Sequence, residues 1–269
     1  MFIIISVAWL ASLPSGVLIA GGVGFALLLA FIARLAVGAL IPAGEREIAY
    51  TIAGPLISAF GATFALLMAL SLANEASFLT SANGIVSNEA ADASRLAWAS
   101  TSPGVDSALI QSALLGYLHA TRDNEWSGSN AEKGDDAATA NALAELEIAV
   151  RTQAARPALG TPASSELLGA LDAVNNDRRA RLAAASHELP FLYLLILIIS
   201  GSALIVNASA LTLRGGLRPV ALVAGLAVVI GLSLALLFAI GTPWQGPIIV
   251  SGQPIDNVAR DLGAGYFHR

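Results

Sequence analysis

The chain has 269 residues, of which 56% are hydrophobic and only 12% charged, with a net charge of −5 and no cysteine. Soluble domains carry about a quarter charged residues, so an ordinary water-soluble globule is excluded. The acidic balance excludes a basic nucleic-acid surface, and the missing cysteine excludes disulfides, thiolate catalysis and cysteine metal sites. Most of the 19 acidic residues fall between positions 74 and 187, while the rest of the chain is nearly free of charge. Such alternation points to lipid and water environments along one chain.

The first dozen residues are apolar, and no Lys or Arg occurs before Arg34. A cleaved secretory signal needs a positive start and a small-residue cleavage site, so this start reads as mature protein. A membrane-crossing helix takes about 20 apolar residues. The stretch from Phe2 to Gly44 is too long for one upright span, and Pro14-Ser15-Gly16 offers a break. Residues 2–13 therefore read as an interfacial segment, and the first span covers about 16–40. Arg34 lies near its end, where its side chain can snorkel to the interface. A second span covers about 50–73, completing an N-terminal membrane region over 1–73.

Residues 74–187 read as a helical domain outside the membrane, with apolar residues at three-to-four spacing. Phe78, Ala82, Ile85 and Leu96 continue the second span outward as one long helix. Leu109, Ile110, Leu114, Tyr117 and Leu118 mark a second helix, ended by Asp123-Asn124-Glu125-Trp126. Leu143, Leu146 and Val150 mark a third. Leu167, Leu171, Val174 and Leu182 mark a fourth, expected to run into the third span. Ser102-Pro103 and Thr161-Pro162 read as helix starts, each a cap residue before a proline at the first helical position, and 127–136 as a loop. Residues 188–241 hold spans three and four, over about 189–213 and 219–240, and 242–269 read as an extended tail. The fold class is all-α: a polytopic membrane protein with four transmembrane helices and a helical extramembrane domain inserted between helices 2 and 3.

Small residues recur at four-residue spacing as Ala227, Gly231, Ala235 and Ala239 in the fourth span, and as Ala65, Ala69 and Ala73 in the second. Such faces allow close helix packing in lipid. They suggest self-association or other membrane subunits, with the bilayer itself as the further partner. Arginines flank both sides of the spans in similar number. The acid-free loop from Arg214 to Arg218 favours placing the large domain outside the cytoplasm.

No nucleophile elbow, P-loop or HExxH is present, no cofactor is implied, and the expectation is a protein that is not an enzyme. A lipid-directed enzyme would need a set such as His187-Glu188 with Arg181, which is too sparse. Arg178, Arg179 and Arg181 before the third span either pair with acids such as Glu89 or contact phosphates; a solvated helix face is the plainer reading. Asp123, Glu125 and Trp126 offer a cation or partner site, or simply a helix end.

Several features together resemble the bacterial bestrophin-like family. They are Asn88-Glu89-Ala90 in the long helix after the second span, Tyr117 eight residues before Glu125-Trp126, Arg178 and Arg181 in a late helix, and Pro243-Trp244-Gln245-Gly246-Pro247 after the fourth span. The resemblance covers about residues 10–260. Trp244 stands where the family usually has Phe, and Ser127 where it usually has Pro. The family motif residues are then Glu89, Tyr117, Glu125, Trp126, Arg178, Arg181, Pro243, Trp244 and Gly246. True bestrophins are pentameric anion channels lined by the second span. The resemblance thus implies an oligomeric ion channel in the bacterial cytoplasmic membrane, with Ser58, Phe60, Thr63 and Leu67 lining the pore. An acid-rich vestibule would favour cations over anions. A non-catalytic scaffold or accessory subunit of a larger membrane complex is the other reading.

Overall fold

The computed structural model describes residues 14–126, 136–187, 189–214, 216–241, 243–244 and 248–267. Among them the chain is all-α. The helices are α1 (Ser15–Leu40), α2 (Arg46–Ala99), α3 (Ser107–Asn124), α4 (Ala137–Ala154), α5 (Thr161–Ala185), α6 (Phe191–Leu211), α7 (Leu217–Ile240) and α8 (Gln253–Gly263). They divide into two compact units, one of residues 1–77 and 188–242, the other of 78–187 and 243–269. The helix α2 belongs to both. Its 54 residues rise about 80 Å at helical pitch.

In the first unit α1, the first part of α2, α6 and α7 are each long and apolar enough to cross a membrane. Their shared core contains Ala26, Ala30 and Ala33 of α1, Phe64 and Met68 of α2, Leu197, Leu204 and Ile205 of α6, and Ala227, Ile230 and Leu237 of α7. Glycine sets the closest approach. A Cβ on Gly231 would lie 2.6 Å from the carbonyl oxygen of Gly22, and one on Gly22 would lie 2.8 Å from that of Gly231. The small face of the fourth span thus packs on α1 of the same chain, with Ala227 and Ala235 both buried. Asn207 adds a polar tie, its Nδ2 donating to the carbonyl of Ala53 at 2.8 Å.

In the second unit the amphipathic faces close around one core. Ala82, Val86, Ala93 and Leu96 of α2 meet Ile110, Leu114 and Leu118 of α3, Leu146 and Val150 of α4, and Leu167, Leu171 and Val174 of α5. Aspartates start two of these helices by accepting backbone N–H bonds, which satisfies first-turn donors. Asp106 accepts from Leu109 at 3.3 Å, and Asp136 from Ala138 at 2.8 Å and Thr139 at 3.2 Å.

Four expectations need correction. The helix expected from Ser102-Pro103 starts later, at Ser107, because Asp106 supplies the cap. The fourth domain helix does not run into the third span: α5 ends at Ala185, and α6 begins after Pro190, which cannot donate into a continuing helix. Thr161 is the first helical residue rather than the cap, with Gly160 before it. The tail is not extended throughout. Its second half folds as α8, whose Ile255, Val258, Ala259 and Leu262 are buried. The interfacial segment 2–13 and most of the 127–136 loop lie outside the described residues.

Any side chain at position 231 must push α7 away from α1. Gly231→Val is expected to lower stability by about 1–3 kcal/mol, the usual cost of overpacking. Thermal melting of the detergent-solubilised chain reads this, and an unchanged melting temperature would remove the contact from the account.

Candidate functional site

Charge is scarce in this sequence, yet the second unit buries several charged side chains. Glu89 on α2, Glu125 at the C-terminal end of α3 and Arg181 on α5 are each 0–1% exposed. A lone charge in such a place would cost several kcal/mol, so each must be matched. Arg181 lies between the two carboxylates. Its Nε donates to Glu89 Oε2 at 2.7 Å, and its Nη2 donates to Glu125 Oε2 at 3.0 Å. Arg178, one turn earlier, donates through its Nη2 to Glu125 Oε1 and through Nε to Oε2 at 3.3 Å. Tyr117 donates its hydroxyl to Glu89 Oε1 at 2.7 Å. The backbone N–H of Asp136 donates to Glu125 Oε1 at 3.1 Å, tying the start of α4 to the same carboxylate.

These contacts control protonation. Burial and the Glu89 charge hold the Tyr117 hydroxyl well above its ordinary pKa, so it stays a donor. Burial alone would weaken the proton hold of Arg181. Glu89, Tyr117 and Glu125 outweigh it and raise the guanidinium above its usual range.

Aromatic rings close one side. The guanidinium carbon of Arg181 lies 5.7 Å from the Trp126 ring centroid, and that of Arg122 lies 4.7 Å from it. Trp244 meets Trp126 edge-on, with centroids 5.5 Å apart. Arg122 in turn donates to both oxygens of Asp256 on α8, at 2.6 and 3.1 Å. Gly252 makes room for it: a Cβ there would lie 2.1 Å from the Arg122 Nη1. The buried Pro243 accepts from the Val250 N–H at 2.8 Å.

The motif residues Glu89, Tyr117, Glu125, Trp126, Arg178 and Arg181 therefore meet in one network, with Trp244 against its tryptophan. Gly246 lies outside the described residues. Sequence reasoning missed Arg122 and Asp256, which stand 134 positions apart and carry no local pattern. It also missed the carboxyl pair of Asp92 on α2 and Asp177 on α5. Burial, a hydrogen bond to Asp92 and the charges of Asp92 and Glu89 raise Asp177 to about 6.

The four proposed pore residues do not share one face. Phe60 and Leu67 are half-buried against the core of the first unit, while Ser58 and Thr63 are exposed. At about 100° per residue, Thr63 stands about 140° around α2 from Ser58.

A family model described as the Bestrophin-like domain matches residues 24–255. The chain belongs to the bestrophin-like family. The match takes in α1 from residue 24 onward, the other three apolar helices and nearly the whole ion network, and the bestrophin-like chain is a membrane protein of that family. No curated protein and no solved structure matches it.

Two outcomes follow. Arg181→Met strips the shared cation from two buried carboxylates and is expected to cost about 3–5 kcal/mol; adding Glu89→Gln recovers part of that loss. Detergent melts of the single and double variants check this. The Asp177 carboxyl has its pKa raised by folding from 3.8 to about 6. Folding therefore takes up a proton, and this contribution to stability is lost as pH rises from about 4 through 6. Asp177→Asn should melt higher than the parent at pH 7.5, and the gain should vanish near pH 4.

Proposed function

We propose that this bestrophin-like protein is a multi-pass channel subunit of the bacterial cytoplasmic membrane. It crosses the bilayer four times and assembles with copies of itself around α2. In this reading the second unit is the water-exposed domain inserted between spans two and three, on the non-cytoplasmic side. Its net acidic charge would draw cations toward the pore. The ion network is a structural lock rather than a catalytic set, because both oxygens of Glu89 and of Glu125 are already engaged.

The observation that carries the reading is the exposed face of α2. Only 11% of its most apolar window is buried, against 22–33% for the other three. The other apolar helices expose bulky side chains, such as Phe25 and Phe31 on α1, Ile196 and Ile199 on α6, and Leu222 and Leu236 on α7. The exposed arc of α2 has two edges. One carries Leu56, Leu66 and Leu70, with Thr63 among them. The other carries Ser58, Ala62, Ala65, Ala69, Ala73 and Ala76, all exposed. A small edge gains little from lipid tails but lets helix backbones approach closely. The residues that line the pore or the subunit seam in this reading are Ser58, Ala62, Ala65 and Ala69. Phe60 and Leu67 support the helix from behind.

The cysteine-free sequence makes the test direct. With one cysteine introduced by Ala65→Cys, oxidation in native membranes should yield disulfide-linked dimers, whereas Leu70→Cys should stay monomeric on a gel. Purified protein in planar bilayers should carry current, and Ala62→Phe should reduce it at least tenfold. A folded oligomer that passes no current would leave a scaffold in place of a channel.

A further inference from the structure

Arg34 is the one ionisable side chain within α1. It stands about 9 Å along the helix from the terminal Leu40. An ionisable residue at such a depth needs a partner. Its Nη1 is buried, and no acceptor among the described residues meets it. Nor does the neighbouring helix supply an acid. The first turn of α7 contains none, and its second residue is Arg218.

The packing puts these two arginines at one level. α1 and α7 cross at Gly22 and Gly231. The far end of α1 lies with the C-terminal end of α6, where Val37 packs with Ala210 and Leu213, just before α7 begins. The two helices therefore run in opposite directions. An equal advance of about 18 Å along each axis from the glycine contact reaches Arg34 on α1 and Arg218-Pro219 on α7. Arg46, the first residue of α2, ends at the same side of the four-helix unit, and its Nε is likewise buried without an acceptor. The acids of this end, Glu45 and Glu47, sit in the connection between α1 and α2, beside Arg46 in sequence.

We infer that Arg34 and Arg218 form a binding site for the phosphate of an anionic lipid headgroup at this end of the membrane unit. The chemistry fits in three respects. A guanidinium offers a planar fork of N–H donors that matches phosphate oxygens. The orphaned Nη1 donor gains an acceptor. Arg218 is exposed and Arg34 half-buried, and an arginine stem laid along apolar helix surface lets its head extend to the headgroup layer. A lipid phosphate, rather than a dissolved anion, suits a site whose surroundings are exposed apolar side chains such as Ile32, Leu35 and Leu217. The inference rests on the four-span reading above.

The test uses the full chain reconstituted in bilayers of phosphatidylcholine with a minor fraction of spin-labelled lipid. First, carbonate washing must leave the protein in the membrane; release would overturn the four-span reading and the lipid site with it. With the protein retained, spin-labelled phosphatidylglycerol should show a larger motionally restricted fraction than spin-labelled phosphatidylcholine. Arg34→Gln or Arg218→Gln should each weaken that preference about fivefold, the weight of one basic residue at an anionic surface. Arg34→Lys, which keeps the charge but not the fork and guards against misfolding, should retain more of it than Arg34→Gln. Equal restriction of both lipids in the parent protein, or a preference untouched by Arg34→Gln, would overturn the site. Loss of the preference on adding inorganic phosphate would overturn the lipid as its source.

Discussion

A single guanidinium held between two carboxylates organises the second unit. Arg181 reaches Glu89 on α2 and Glu125 at the end of α3 from its own place on α5. Three helices distant in sequence must converge before any of these charges is matched. A buried ion pair adds little over an apolar pair of the same shape, but breaking one is costly. The network therefore specifies an arrangement more than it strengthens it: a shift of one helix turn would leave a carboxylate in the core without a cation. The remaining ties extend the same logic. Glu125 holds the start of α4 through Asp136, and Tyr117 completes the lone pairs of Glu89. Arg122 draws α8 onto α3 through Asp256 and shares the Trp126 ring with Arg181.

The first unit, with its four apolar helices, is built on the opposite principle. Asn207 to Ala53 is a polar tie between two of its apolar helices, and much of its order comes from shape. Glycine against glycine lets α1 and α7 touch through backbone atoms, and Gly201 makes space for Phe64 and Ile230, each 3.2 Å from the Cβ it lacks. Lipid tails compete with any apolar side chain, so close packing of small residues is what distinguishes a protein contact from a lipid contact. The chain uses this device twice. On α7 the small face is consumed within the chain, and on α2 it is left outward.

Much of the architecture was legible before any packing was considered. Hydropathy is summed over some twenty residues, so the four apolar helices stand out whatever their neighbours, and each falls within a few residues of its expected place. The long helix from the second span into the acidic region was legible for the same reason: its apolar period continues from Phe64 through Val86 to Leu96. Boundaries fared worse because they depend on single groups. Asp106 took the cap from Ser102, and the end of α5 at Ala185 with Pro190 before α6 interrupted what periodicity alone would have joined. The tail read as extended because Pro243 and Pro247 dominate its start, whereas the short amphipathic α8 needs the surface of α3 to become a helix.

The sequence by itself determined the environment of each segment: which stretches suit lipid, which suit water, and which few residues carry charge in a chain that has little of it. Those are sums over local composition and need no partner. Only the tertiary structure decided that Glu89, Tyr117, Glu125 and Arg181 meet, that Phe60 and Leu67 turn inward while Ser58 and Ala65 stay outward, and that Gly22 meets Gly231. Each of these is a long-range pairing. Its energy exists only once the helices have met, and nothing in the local pattern records which partner, 28 to 92 positions away in the ion network, will match the charge or fill the space.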